Sequence, residues 1–225
     1  MKKSVVGIFA HPDDEAFGPA GSLVLLSKTH DVYLICATNG DAGQNHSSNK
    51  NSLDIIRKEE LIKSSKLLGI KQVFFLDFKD GELNQTLYHL LAEKIQEIIN
   101  KLKPELLITY EPRGVSGHID HIVVSMVSTF VFERFSFIKK LYYYCISDFQ
   151  RKMIRNYFIY FPPGYKKEDI NLIIDISSVW DIKIRAIQVH ASQAKDGRLF
   201  ILGTQALSKI KWWSKIEEYF LVRNK

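Results

Sequence analysis

The sequence predicts an α/β fold: a mostly parallel β-sheet with helices on its faces, ending in an antiparallel edge or extension. Three observations predict it. Short apolar runs of strand length alternate with longer stretches of helical spacing, which is the rhythm of right-handed βαβ units. The 225 residues are 46% apolar and 25% charged, enough for a sizeable core and too apolar for wholesale disorder. No apolar run reaches the roughly 18 residues of a membrane helix, so length and composition describe one domain.

Residues 5–10 read as a buried first strand. The opening Met1-Lys2-Lys3 looks briefly like a signal peptide, but the apolar stretch is too short and His11-Pro12-Asp13-Asp14-Glu15 follows at once. Residues 15–29 have helical spacing, with Leu23, Leu25 and Leu26 facing inward. Residues 32–38, rich in branched and aromatic side chains, form the second strand. Leu53–Leu68 is helical by the spacing of Ile55, Ile56, Leu61, Leu67 and Leu68, and stops at Gly69. Residues 73–76 form a third strand, 86–102 an amphipathic helix closed by Lys101, Lys103 and Pro104, and Leu106–Tyr110 a fourth strand. Ile119, Ile122, Val123, Met126, Val127 and Phe130 mark another helix, and residues 141–146 a fifth strand. Residues 157–161 and 172–176 read as further strands around a Pro162-Pro163-Gly164 loop, followed by helices over 179–189 and about 204–221.

The net charge of +6 is unevenly spread. Residues 1–138 carry 15 Lys+Arg against 17 Asp+Glu, whereas residues 139–225 carry 16 against 8. The basic C-terminal third reads as a solvated surface, with contact to an anionic partner as the alternative. Without an Arg-Gly or RNA-binding motif, no specific nucleic-acid partner is expected. Residues 146–170 are aromatic and basic, and read as packing or a subunit contact rather than a motif. Cys36 and Cys145 lie far apart in apolar segments, which reads as buried free thiols in a reducing cytoplasm.

In an open α/β sheet, ligands bind beyond the carboxyl ends of the strands, near the switch in strand order. Three polar clusters fall there. They are His11-Pro12-Asp13-Asp14-Glu15, Thr38-Asn39-Gly40-Asp41-Ala42-Gly43, and Gly117-His118-Ile119-Asp120-His121. Three crowded carboxylates in the first cluster repel unless a cation compensates them. His11 and Asp14 are three apart across a tight turn, and His118 and His121 share one face of a first helical turn. His11, Asp14 and His121 form a His₂-carboxylate set that suits Zn²⁺ with an open position for water, and also suits Fe²⁺. Asp13 is then the candidate to take the water's proton and return it to a leaving amine. His118 is the candidate donor to the developing oxyanion, with Asp120 holding its tautomer and position. Together these residues describe metal-assisted amide hydrolysis.

These motifs, with the Arg57–Glu60 stretch of the helix over Leu53–Leu68 and the late His190-Ala191-Ser192-Gln193, resemble the PIG-L (LmbE-like) N-acetylglucosaminyl deacetylases. The resemblance runs from about Val5 to Gln193. It implies a Rossmann-like three-layer sandwich, a single domain over residues 1–225, and zinc held by His11, Asp14 and His121. It implies Asp13 as general base and His118 as the group that polarises the intermediate. Arg57 matches a position that contacts sugar hydroxyls, and Asp41 either binds a hydroxyl or braces its loop. The expected substrate is a small amino sugar or glycoconjugate, and relatives are often trimers or hexamers. Ile119 departs from the family pattern, where Pro is common, without changing the ligand spacing. A non-catalytic sugar- or nucleotide-binding module on the same fold is the alternative, although the Gly-x-Gly-x-x-Gly dinucleotide fingerprint is missing after the first strand.

Overall fold

A computed structural model describes residues 2–46, 51–84, 86–154, 160–194 and 215–224. Seven strands form one sheet in the order β3-β2-β1-β4-β5-β7-β6. The strands are β1 Ser4–Phe9, β2 Asp31–Thr38, β3 Gln72–Phe78, β4 Leu106–Tyr110, β5 Lys140–Cys145, β6 Leu172–Asp175 and β7 Ile216–Asn224. The first five pair in parallel, and β7 joins β5 and β6 antiparallel, giving the expected antiparallel edge. Val5, Val6, Ile8, Leu107 and Ile108 are fully buried, as central parallel strands covered on both faces require.

The helices are α1 Asp14–Phe17, α2 Ala20–Ser27, α3 Leu53–Leu68, α4 Tyr88–Leu102, α5 Gly114–Gly117, α6 Ile119–Arg134, α7 Asp148–Met153 and α8 Trp180–Val189. Helices α2, α3 and α8 pack together, as do α4, α5 and α6, which makes the sandwich three-layered. Gly69 ends α3 in the left-handed region, as its place after the last apolar residue predicts. Both cysteines are buried and unbridged. No helix among the described residues is long and apolar enough to cross a membrane.

Three elements differ from the sequence reading. The helix expected over 15–29 is broken into α1 and α2 at Gly18-Pro19, because Pro lacks an N–H and disfavours helix in the residue before it. Tyr160 and Phe161 are irregular, and residues 157–159 lie outside the described residues. The helix expected over about 204–221 also lies mostly outside them, but its end, from Ile216, is strand β7. There Glu217 and Tyr219 point inward with the period of two of a strand. Glu217 accepts the backbone N–H of Gly21 and of Ser22, each at 2.8 Å, and meets Lys183 Nζ at 2.8 Å. Strand β7 is thereby fastened to the N-terminus of α2 and to α8.

The strand order reverses between β1 and β4, so the crevice beyond their carboxyl ends is where a ligand site is expected. His11 follows β1, Thr38 ends β2, Asp80 follows β3, and Glu111 to His121 follow β4.

Candidate metal centre and active site

The turn after β1 builds one wall of the site. Asp13 adopts φ 117°, ψ −22°, a left-handed conformation that a non-glycine residue holds only when its surroundings enforce it. Three carbonyl and carboxylate contacts to Arg57 and Glu15 enforce it. Arg57 Nη2 lies 3.1 Å from Asp13 Oδ2 and donates to Pro12 O at 2.5 Å, while Glu15 Oε2 accepts the Asp13 N–H at 3.1 Å. Arg57 Nη1 donates to Gly40 O at 2.9 Å. Gly40 has φ +66°, and a Cβ there would run into the guanidinium, so the second-strand motif needs glycine at this position.

The segment after β4 builds the opposite wall. Gly114 and Gly117 have positive φ, and Val115 is held at φ 60° with its N–H on Glu111 Oε1 at 2.8 Å. This bend brings Gly114 O to 3.1 Å from His121 Nδ1. The ring of His121 also stacks on Tyr110, with centroids 4.1 Å apart and planes 2° off parallel.

The tautomers follow from the partners. His121 donates from Nδ1 to Gly114 O and turns the Nε2 lone pair inward. His11 Nε2 faces Asp80 Oδ1 at 2.9 Å and Asp120 Oδ2 at 3.4 Å, which puts its proton there and leaves Nδ1 as the acceptor. Neither oxygen lies along the N–H direction, so the two carboxylates attract the ring N–H without a made hydrogen bond. His11 Nδ1 and His121 Nε2 then face each other at 3.1 Å, with Asp14 oxygens 3.6 Å and 3.4 Å from them. With His11 neutral, two lone pairs and a carboxylate converge in a buried site, an arrangement relieved by a metal cation or by a proton on His11 Nδ1 donated to His121 Nε2. Their spacing fits a metal cation, since tetrahedral zinc with bonds of about 2.0–2.1 Å separates its ligands by about 3.4 Å. Two other sets, His11/His118/His121 and His11/Asp80/Asp120, bring ligand atoms within 4.8 Å of one another, whereas Asp14 reaches His11 with Oδ2 and His121 with Oδ1. Those two sets fit less well, because His118 Nδ1 accepts the Asp120 N–H at 3.1 Å and the second set needs the protonated side of His11.

The electrostatics divide the carboxylates. Burial raises the Asp13 pKa, against the opposing pull of Arg57 and with help from Asp14, to about 7. Asp14 goes the other way: burial pushes it up, but His121 and His11 outweigh that and hold it below the ordinary carboxylate range. Burial depresses His121 to about 4, keeping it neutral as a ligand must be. Burial opposes protonation of His11, but the Asp120, Asp14 and Asp80 carboxylates outweigh it and raise its pKa. Burial and His11 lower the pKa of His118, so its neutral ring carries the proton on Nε2.

The sequence-selected residues therefore gather in one place, with two changes of role. Asp120 orients His118 through its backbone N–H rather than its carboxylate, because the carboxylate is drawn to the Gly81 N–H at 2.7 Å and to His11. Asp41 is exposed and accepts the Asp80 N–H at 3.0 Å, so it braces the loop after β3 rather than its own. Asp80 itself was missed. It stands in an Asp-Gly pair immediately after a strand, the position that singled out the other three clusters, but an Asp-Gly pair also reads as a plain turn.

Residues 6–131 match the PIG-L family, described as GlcNAc-PI de-N-acetylase. The chain is 31% identical over 205 residues to the probable N-acetyl-alpha-D-glucosaminyl L-malate deacetylase 2 of Bacillus subtilis, covering 87% of this chain and 85% of that protein. It is 30% identical to the diacetylchitobiose deacetylase of Thermococcus kodakarensis, covering 85% of this chain and 70% of that one. Among solved structures it resembles the N,N′-diacetylchitobiose deacetylase of Pyrococcus horikoshii, with TM-score 0.73, 22% identity and coverage of 98% and 84%. It also resembles GalB, the 4-carboxy-2-hydroxymuconate hydratase of Pseudomonas putida KT2440, with TM-score 0.71, 17% identity and coverage of 100% and 98%. At those identities the structural likeness speaks for the fold alone, and the hydratase illustrates that function must be argued from the site.

Proposed function

The chain belongs to the PIG-L (GlcNAc-PI de-N-acetylase) family, and from that premise we propose that it is a metal-dependent N-deacetylase of an N-acetylglucosamine-containing sugar or conjugate. The observation that carries the reading is the convergence of His11 Nδ1, Asp14 and His121 Nε2 at 3.1–3.6 Å beside a half-buried Asp13. His11, Asp14 and His121 would hold the ion, with zinc the better fit to the donor set and Fe²⁺ compatible with it. When bound, such an ion supplies Lewis acidity towards water and the amide carbonyl.

The chain's own residues supply the rest. Asp13 accepts a proton from the attacking water as the C–O bond forms, and returns it to the nitrogen as the C–N bond breaks. The products are acetate and the free amine. His118, its Nδ1 held by the Asp120 N–H, donates from Nε2 to the oxygen on which charge develops. Arg57 favours the charged form of Asp13 and aims its carboxylate. Asp41 acts through the Asp80 loop at the rim. The whole chain works as a single domain.

Acetate release from a panel of N-acetylated glucosamine conjugates, with chelator and with zinc restored, tests this. Release that chelator abolishes and zinc restores is expected. A fully metallated protein that binds these sugars yet frees no acetate points instead to a non-catalytic module.

A further inference from the structure

The strained conformation of Asp13 has a support that the reaction scheme does not use. Glu15, only 1% exposed, accepts three hydrogen bonds. Its Oε2 takes the Asp13 N–H at 3.1 Å, and its Oε1 takes Ser64 Oγ at 2.5 Å and His190 Nε2 at 2.8 Å. His190 is itself 1% exposed and its Nδ1 has no partner, so the ring has a single polar duty, donation to Glu15. His190 reaches the turn from the far end of α8.

Helix α3 ties this arrangement together. Arg57, Glu60 and Ser64 recur at intervals of three and four, which puts them on one helical face. All three are buried there. Arg57 grips the Asp13 carboxylate, Ser64 grips Glu15, and Glu60 accepts both Ser192 N–H at 2.8 Å and Ser192 Oγ at 2.6 Å, two residues after His190. Asp13 is thus clamped twice, at its side chain by Arg57 and at its backbone by Glu15.

We propose that Glu15, oriented by His190 and Ser64, is a positioning residue that holds the Asp13 backbone in its left-handed conformation and so aims the Asp13 carboxylate into the site. This rests on the reading of Asp13 as the proton carrier. A misplacement of about 1 Å in such a group costs on the order of a hundredfold in rate.

The test is a set of variants read two ways. His190→Leu removes the donor, and His190→Gln restores one, since the glutamine amide reaches the place of Nε2. By acetate release, His190→Leu is expected to lose about ten- to a hundredfold in kcat with KM and zinc content retained, and His190→Gln to recover most of it. In an Asp13→Ala background, His190→Leu is expected to cost less than about twofold, because the two act as a unit. Hydrogen exchange supplies the second reading: the Asp13 amide is expected to lose protection in His190→Leu while the β1 amides keep theirs. Ser64→Ala, a milder change, is expected to move both readouts in the same direction if His190→Leu fails to fold.

Equal Asp13 exchange in the parent and in the variants overturns the clamp. An undiminished kcat loss in the Asp13→Ala background, or one that tracks lost zinc, overturns the positioning role. A parent protein that frees no acetate from any conjugate counts against the reaction instead, and leaves the exchange result to judge the clamp.

Discussion

Asp80→Asn probes how the site holds His11. Asp80 Oδ1 and Asp120 Oδ2 stand 2.9 Å and 3.4 Å from His11 Nε2, with the His11 and Asp80 side chains 6% and 9% exposed. An imidazole that offers Nδ1 to a cation becomes a better ligand when anions sit at Nε2, and loss of such a partner costs about 10–100-fold in metal affinity. That range corresponds to about 1.4–2.7 kcal/mol, at 1.36 kcal/mol per decade. Because Asp120 stays beside the ring in Asp80→Asn, the expected loss is at the low end, about tenfold. With Asp80→Asn and Asp120→Asn combined, both anions are gone and the expected loss is about a hundredfold. Competition for zinc against a chelating indicator measures each value directly. His118→Ala is the comparison, and its affinity is expected to stay within about threefold, since His118 spends Nδ1 on the Asp120 N–H. Unchanged affinity in the double variant contradicts the role given to the two carboxylates. A His118→Ala loss as large as that of His121→Ala makes His118 a ligand.

Three other outcomes are expected. Lys183→Met strands the buried Glu217 carboxylate, which costs about 3–5 kcal/mol; at about 2 °C per kcal/mol for a chain of this size, the melting temperature falls by about 6–10 °C, and a fall under about 2 °C contradicts it. Burial disfavours the His190 imidazolium, but Glu15 foremost, with Asp13 and Glu60, outweighs it and raises the pKa above about 6.5. That stabilisation is complete below the unfolded value and is lost as pH rises through the folded one, so stability to urea falls as pH rises above about 6.5, and His190→Gln flattens the fall. An equal fall in His190→Gln assigns the effect elsewhere. Gly40→Ala meets both a φ of +66° and the Arg57 guanidinium, so it is expected to cost about 1–3 kcal/mol and to lower turnover as Arg57 shifts from Asp13; an unchanged melt and rate contradict this.

What could be read in advance depended on how local its cause is. Strand β4 and helices α3 and α6 follow from apolar spacing, with a glycine cap on α3, and the bounds of β4 and α3 and the start of α6 agree with the sequence reading. The ligand spacings His11/Asp14 and His118/His121 are equally local, since a tight turn and a first helical turn each set them. The break at Gly18-Pro19 was legible in principle, but the leucines beyond it mask it as one amphipathic helix. Strand β7 was not legible, because Glu217 looks like a surface charge until Lys183 and the α2 N-terminus meet it from 34 and 196 residues away. Asp80 and His190 share that cause. Each acts on a residue remote in sequence, His11 or Glu15, and no spacing rule reaches across such a distance.

Anomalous diffraction at the zinc edge, from crystals grown with the metal, bears most directly on the site. A single peak about 2.0–2.2 Å from His11 Nδ1, an Asp14 oxygen and His121 Nε2 is expected. A peak against His11 Nε2, Asp80 and Asp120, or one outside the β1–β4 crevice, contradicts the assignment.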